Sequence, residues 1–122
     1  MLKKYKLIIV DKDKGEFQMK KIMLVCSAGM STSLLVTKME QAAEKAGDEV
    51  EIFALPMSDG INRLSTVDCV LLGPQVRFNL GKIKEEAAKV NPGLPVDVID
   101  MKDYGMMNGE KVYNYAKKLM DE

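Results

Sequence analysis

The sequence predicts an α/β domain built on a four-stranded parallel sheet with helices on both faces. Four short apolar runs recur along the chain, segments with helical periodicity separate them, and glycine or proline marks the breaks. Strands that alternate with helices favour a parallel sheet joined by right-handed crossovers. We expect the strand order 2-1-3-4 when these four strands are numbered along the chain.

The apolar runs predict the strands, and helical stripes predict the segments between them. The predicted strands are Lys20 to Val25, Val50 to Leu55, Val67 to Leu72 and Val96 to Ile99. After the second strand we expect a loop over Pro56 to Gly60 and a short helical turn over Ile61 to Ser65. The helical stripes are Leu35, Met39, Ala42, Ala43 and Ala46, then Ile83, Ala87 and Val90, and last Val112, Tyr115, Ala116 and Leu119. Gly47 and Asn91-Pro92-Gly93 end the first two helices, and Asn108 is the expected cap of the third.

The first eighteen residues, MLKKYKLIIVDKDKGEFQ, do not belong to this repeat. Lys6 to Val10 could pair as an extra edge strand, and Asp11 to Gly15 would then form a turn. We therefore divide the chain into an N-terminal leader, residues 1–18, and a compact domain, residues 19–122. The sequence allows two interpretations of this leader: a disordered or added segment, or a functional element.

Composition excludes several classes of function. Eighteen basic and eighteen acidic residues cancel and are interspersed, so no electrostatic footprint for nucleic acid is present. Histidine is absent, which excludes histidine metal sites, Ser-His or Cys-His nucleophile pairs and a phosphohistidine on this chain. We expect no metal and no cofactor. Two cysteines in separate strands make no disulfide framework, and a reactive thiol survives best in a reducing compartment, so we expect a cytoplasmic protein. The apolar run Leu7 to Val10 is too short for a signal peptide or a membrane span.

The segment KKIMLVCSAGMSTS carries the chemistry. A strand delivers Cys26 into a loop of small and hydroxylated residues, directly before a helix. Backbone N–H groups of such a loop and the positive end of the helix dipole stabilise a thiolate or a phosphate. We therefore predict that Cys26 is a nucleophile for a phosphoryl group and that the loop binds that group. The predicted phosphoryl-binding residues are Ser27, Ala28, Gly29, Met30, Ser31, Thr32 and Ser33.

Each of these residues also has a simpler interpretation. A single cysteine at the end of a buried strand, such as Cys26, is often a small core residue. Cys69 lies inside the apolar run Val67 to Leu72 without a comparable loop, and we interpret it as a core residue. Ser31 or Thr32 could cap the helix instead of binding phosphate.

A second loop should face Cys26. Ligands of parallel sheets bind beyond the carboxyl ends of the strands where the strand order reverses, which brings Gly73 to Phe78 beside the cysteine loop and Asp100 to Met107 nearby. The candidate contacts there are Gln75, Arg77, Asp100, Asp103 and Tyr104, although all of them could be solvated surface residues.

Three motifs resemble one known family. The segments CSAGMSTSLLV, LLGPQVRF and VIDMKDYGMMNG are similar to the IIB component of the lactose/cellobiose (chitobiose) family of the bacterial sugar phosphotransferase system. The resemblance spans Met19 to about Leu119. It implies a fold similar to low-molecular-weight tyrosine phosphatases. It further implies a protein-phosphohistidine–sugar phosphotransferase in which Cys26 accepts a phosphoryl group from a IIA protein and passes it to a sugar on the membrane IIC component. The resemblance does not specify the sugar, which could be cellobiose, chitobiose, lactose or a related sugar.

Three alternatives compete with this interpretation. A phosphatase of the same fold requires an arginine six positions after the cysteine, where this chain has Thr32. A thiol-redox role lacks a C-x-x-C pair. A non-enzymatic phosphate-, nucleotide- or flavin-binding module lacks both a Walker lysine and a spaced glycine triplet.

Methionine is abundant, with ten in the chain. We hypothesise that some of them form a docking rim for IIA and IIC, because flexible thioether side chains suit a surface that fits two partners. Core packing is the alternative for at least half of them. The candidates are Met30, Met57, Met101, Met106 and Met107.

Overall fold

A computed structural model describes residues 8–11, 16–27 and 30–121 of the chain. The strands are β1 (Ile8–Asp11), β2 (Glu16–Cys26), β3 (Val50–Pro56), β4 (Cys69–Leu72) and β5 (Val96–Val98). The α-helices are α1 (Met30–Ala46), α2 (Met57–Gly60), α3 (Leu80–Val90), α4 (Met101–Gly105) and α5 (Gly109–Asp121), and 3-10 helices occupy Ile61–Thr66 and Pro74–Asn79. None of the helices in these ranges has the length and apolar character that a bilayer crossing needs.

The parallel sheet has the order β3-β2-β4-β5, which confirms the predicted order 2-1-3-4. β2 lies at the centre, where Ile22 pairs with Ile52 of β3 and with Cys69 of β4. The strand order therefore reverses between β2 and β4, and the carboxyl ends of both strands meet at one edge of the sheet. This edge, which we call the carboxyl edge, is the place where a ligand is expected.

β1 adds an antiparallel strand to the first part of β2. Ile8 pairs with Met19, and Asp11 pairs with Glu16. The predicted edge strand is thus confirmed over Ile8 to Val10, whereas Lys6, Leu7 and the predicted turn at 12–15 lie outside the described residues. Because β2 begins at Glu16, it crosses the predicted boundary between residues 18 and 19. The division into leader and domain stays a prediction.

Alternate residues of the central strands pack against opposite faces of the sheet, as the two-residue period of a strand requires. Ile22 and Leu24 join the core beneath α1 and α5, while Met23 and Val25 join the core beneath α3. Both cores are continuous and buried. Runs with apolar residues on both faces are typical of parallel sheets, and this is why the sequence signal for these strands is strong.

Several element boundaries differ from the predicted ones. β4 begins at Cys69 rather than at Val67. The Asp68 carboxylate accepts the Lys21 N–H at 2.8 Å, a hydrogen bond that a backbone carbonyl would accept in a continuous strand. The predicted loop at Pro56 contains α2. The predicted cap is confirmed, since Asn108 Oδ1 accepts the Lys111 N–H at 3.1 Å at the start of α5.

Candidate functional site

Cys26 is the last residue of β2, one residue beyond the predicted end of the strand, and it pairs with Pro56 of β3. The alternation along β2 directs its side chain to the same face as Ile22 and Leu24, which is the face that α1 covers. Only 2% of the residue is exposed. The sulfur therefore lies at the carboxyl edge, between the end of the strand and the start of α1.

The Thr32 hydroxyl donates a hydrogen bond of 3.1 Å to Cys26 Sγ. Thr32 is fully buried in the first turn of α1, and Leu55 O lies 4.0 Å from the same sulfur. Because α1 begins at Met30, Thr32 lies in the first turn of the helix rather than at the residue before it. The Thr32 hydroxyl thus places a hydrogen-bond donor directly on the sulfur.

The rest of the predicted phosphoryl-binding loop is described in part. Ser27 forms an exposed bend directly after β2, and Ser33 is exposed in α1. Ala28 and Gly29 lie outside the described residues, as do the side chains of Met30 and Ser31. The first turn of α1 contains no acidic residue, so the positive end of the helix dipole is not neutralised there.

Gly73 joins the second loop to the end of β2. Its N–H donates to Val25 O at 2.8 Å, one residue before Cys26. A Cβ atom at this position would lie 2.6 Å from Gln75 Oε1 and 3.6 Å from both Tyr104 Cε2 and Val25 O. Only glycine leaves room for the Gln75 carboxamide here. The second loop thus lies beside the cysteine-bearing strand, as the strand order predicts.

The five candidates from the second loop and from the segment 100–107 fall into two groups. Gln75 and Tyr104 come together, since Gln75 Nε2 donates to the Tyr104 hydroxyl at 3.0 Å. Arg77 instead donates from Nη1 to Pro74 O at 3.1 Å in its own segment. Asp100 Oδ1 accepts the N–H groups of Lys102 and Asp103, so it caps α4. Asp103 lines a groove of about 600 Å³ beside α5 that contains neither Cys26 nor Thr32.

Sequence reasoning missed a buried charged cluster at the opposite edge of the sheet. Asp48 Oδ2 accepts from the Tyr113 hydroxyl at 2.8 Å and lies 3.0 Å from Lys117 Nζ. Burial, followed by the hydrogen bond and the charge of Asp48, raises the pKa of Tyr113 well above its ordinary value. Asp48 is 65 residues from Tyr113 in the chain, so no local pattern signals this contact.

The second cysteine is a core residue, as predicted. Cys69 is fully buried in β4. Burial, with smaller contributions from the charges of Asp68 and Asp97, raises the pKa of Cys69 to about 12. Its thiol therefore stays protonated and inert at neutral pH, unlike a nucleophile.

Four large apolar side chains are exposed around the carboxyl edge, and we call them the apolar rim. Phe78 is 79% exposed, Met106 68% and Met101 63%, and the fourth is Leu34. Met57 and Met107 instead pack partly buried against the two cores, and the Met30 side chain lies outside the described residues. The methionine-rich rim is thus supported at Met101 and Met106 only, and sequence reasoning missed Phe78 and Leu34.

Among the described residues, no cluster of three or more histidine, cysteine, aspartate or glutamate side chains could hold a metal ion. At the carboxyl edge the uncharged Thr32 contacts Cys26, and the uncharged Gln75 and Tyr104 contact each other. Hydrogen-bond donors of this kind can bind a phosphoryl group without a metal.

Comparisons with known proteins agree with this arrangement. The family model described as PTS system, lactose/cellobiose specific IIB subunit, matches residues 21–115. The PTS system oligo-beta-mannoside-specific EIIB component of Bacillus subtilis is 47% identical over 102 residues, which cover 84% of this chain and 97% of the relative. The PTS system cellobiose-specific EIIB component of Lactococcus lactis subsp. lactis is 49% identical over 107 residues, with the same coverage. The solution structure of a cellobiose-specific phosphotransferase IIB component protein from Borrelia burgdorferi has a TM-score of 0.69 and 38% identity, covering 84% of this chain and 92% of that chain.

Proposed function

Because the chain belongs to the lactose/cellobiose-specific IIB subunit family of the phosphotransferase system, we propose that Cys26 carries the phosphoryl group in transit to a sugar. The observation that carries this proposal is the hydrogen bond from Thr32 Oγ1 to Cys26 Sγ. It supplies a buried donor to the sulfur that must attack phosphorus. Cys69 is a core residue within β4, where burial raises the pKa of its thiol to about 12.

The proposed reaction has two in-line steps. The Cys26 thiolate attacks the phosphorus of a phosphohistidine on a IIA protein, an S–P bond forms, the N–P bond breaks, and the imidazole nitrogen retains the electron pair and takes up a proton. In the second step a sugar hydroxyl oxygen attacks the same phosphorus, the S–P bond breaks, and the hydroxyl proton is released. Transition states of this kind demand mainly positioning and charge stabilisation from the protein. The end of β2 and the start of α1 provide both.

The described part of the site favours a carrier over a phosphatase. Thr32 stands six residues after Cys26, where the phosphatase of similar fold needs an arginine, and its hydroxyl contacts the sulfur. Arg77, the arginine of the second loop, directs its Nη1 to Pro74 O in its own segment. Without a bidentate guanidinium, the captured phosphoryl group is bound by neutral donors and is more easily passed on.

The partners in this proposal are a IIA protein as donor and a membrane IIC component that holds the sugar acceptor. The apolar rim supports a protein partner at the carboxyl edge, since exposed apolar side chains grouped at one site are typical of binding surfaces. On this basis we place the chain in the cytoplasm, at the membrane surface when IIC binds it. The relatives are named for different sugars, oligo-beta-mannoside and cellobiose. We assign sugar choice to IIC because, by the family resemblance, IIC is the component that holds the sugar.

Labelled phosphoenolpyruvate with the upstream carrier proteins tests the proposal. We expect wild type and Cys69→Ser to acquire label, whereas Cys26→Ser does not. Cys69→Ser is the matched control, because it makes the same change at the cysteine that the proposal leaves unused. Unchanged labelling of Cys26→Ser would refute the proposal, and so would labelling that is lost only in Cys69→Ser.

A further inference from the structure

Two polar side chains from separate loops meet beside the end of β2. Gln75 lies in the 3-10 helix after β4, and Tyr104 lies in α4 after β5. Gln75 Nε2 donates to the Tyr104 hydroxyl at 3.0 Å, although the two residues are 29 positions apart. This contact ties together the two loops that flank the carboxyl edge.

Tyr104 is the fixed member of this pair. Its ring is buried in the core that also contains Leu24 and Leu71. Its N–H donates to Asp100 O at 2.9 Å, and the Asp100 side chain caps the same short helix. The hydroxyl is therefore presented from a rigid support.

Gln75 is the adjustable member. The residue is exposed, and its side chain has three torsions that would otherwise move freely in solvent. The Tyr104 hydroxyl instead holds the carboxamide over Gly73, where Oε1 lies 2.6 Å from the position that a Cβ atom would take. Because the Gly73 N–H is bonded to Val25 O, the carboxamide is held beside the residue that precedes Cys26.

We propose that Tyr104 is a positioning residue for phosphoryl transfer and that it acts through Gln75. This inference rests on the proposed function. An amide nitrogen carries two hydrogens: one is bound by Tyr104, and the second donates to an oxygen of the phosphoryl group when Cys26 carries it. The pair thus adds a second neutral donor to the one that Thr32 supplies. Neither donor carries a positive charge that would slow release of the phosphoryl group.

Single-turnover transfer from a phosphorylated IIA protein tests the pair. Tyr104→Phe keeps the buried ring and removes only the hydroxyl, and Gln75→Met keeps the length of the side chain and removes the amide. We expect each variant to lower the rate at saturating donor roughly tenfold, with the KM for the donor unchanged, as loss of one hydrogen bond in the transition state predicts. The double variant should be no slower than the slower single variant, because both changes remove the same interaction.

Tyr115→Phe is the matched control. It also removes a tyrosine hydroxyl, one that donates to Asp97 on the α5 side of the sheet. We expect its rate to equal that of wild type. The thermal midpoint of each variant is measured in parallel, so that rates are compared on folded protein only.

Four results would overturn the inference. They are a wild-type rate in Tyr104→Phe, a wild-type rate in Gln75→Met, additive losses in the double variant, and a loss in Tyr104→Phe that only follows its unfolded fraction. Each of these leaves the proposed function intact as long as wild type still transfers to Cys26. Failure of the proposed function is a different result, namely no phosphorylated Cys26 in wild type.

Discussion

The Thr32 hydroxyl lies 3.1 Å from Cys26 Sγ and donates a hydrogen bond to it. The two residues are six positions apart, and the start of α1 folds back over the end of β2 to bring them together. The sulfur is thus held by a neutral donor at the position where the phosphatase of similar fold needs a guanidinium. Under the proposed function, this contact favours transfer of the phosphoryl group over its hydrolysis.

Replacing Thr32 by valine should slow the formation of phosphorylated Cys26. Valine keeps the buried shape and removes the donor, and a hydrogen bond to a charged group contributes about 1.5–3 kcal/mol, so we expect a loss of roughly ten- to a hundredfold. Thr32→Ser retains the hydroxyl and should retain most of the rate. Rapid-quench kinetics with a phosphorylated IIA protein measure both. Equal rates for valine and serine would show that the hydroxyl is not needed.

Phe78 should contribute to partner binding rather than to chemistry. Its ring is 79% exposed at the carboxyl edge, so Phe78→Ser should raise the KM for the phosphorylated IIA protein roughly tenfold and leave the maximal rate unchanged. Val90→Ser is the control, since Val90 is exposed at the end of α3 nearer the opposite edge of the sheet. A KM that rises equally in both variants would count against a rim specific to the carboxyl edge.

The buried Asp48 should make Lys117 important for stability. Lys117 Nζ lies 3.0 Å from the fully buried carboxylate, and its own side chain is only 24% exposed. Lys117→Met leaves the Asp48 charge without its counter-ion and should lower the free energy of unfolding by about 2 kcal/mol. The loss is smaller than for a fully buried ion pair because Lys117 is partly exposed to solvent. Urea unfolding measures this. Lys118→Met on the same helix is the control, and an equal loss there would contradict the assignment.

Stability should fall at alkaline pH because of Cys69. Burial raises its pKa from 9.0 to about 12, so the unfolded chain loses this proton at a lower pH than the folded one. The stabilising contribution is complete below pH 9.0 and is lost between pH 9.0 and about 12, by at most about 1.4 kcal/mol per pH unit. Urea unfolding of wild type and Cys69→Ala under reducing conditions should show a stability difference that shrinks by about 2 kcal/mol from pH 8 to 10.5. A constant difference would contradict the pKa shift.

The fold was predictable because its signals are local. The run Ile22-Met23-Leu24-Val25 is apolar at every position, which is typical of a strand buried on both faces, and the stripe from Leu35 to Ala43 has helical period. The order of the strands follows from general rules for parallel sheets. The predicted element boundaries were less accurate. The start of β4, for example, depends on the Asp68 carboxylate, which accepts the Lys21 N–H in place of a backbone carbonyl.

The candidate site was predictable where the sequence encodes it in one segment. Cys26, Thr32 and the first turn of the helix that follows lie within ten residues of sequence. The roles of Gln75, Arg77, Asp100 and Tyr104 could not be separated, because they depend on which loop partner each side chain reaches across the sheet edge. Asp48 and Tyr113 were missed for the same reason, since their contact joins distant parts of the chain.

The most direct test of the central claim is to identify the phosphorylated atom in the intact protein. We would isolate the chain after reaction with phosphoenolpyruvate and the upstream carriers and record its ³¹P spectrum. The chain has no histidine, so no phosphohistidine signal of its own can interfere. The account predicts one phosphorus resonance typical of an S–P bond, present in wild type and Cys69→Ala and absent in Cys26→Ser. A resonance that persists in Cys26→Ser, or wild-type protein that takes up no phosphorus, would contradict it.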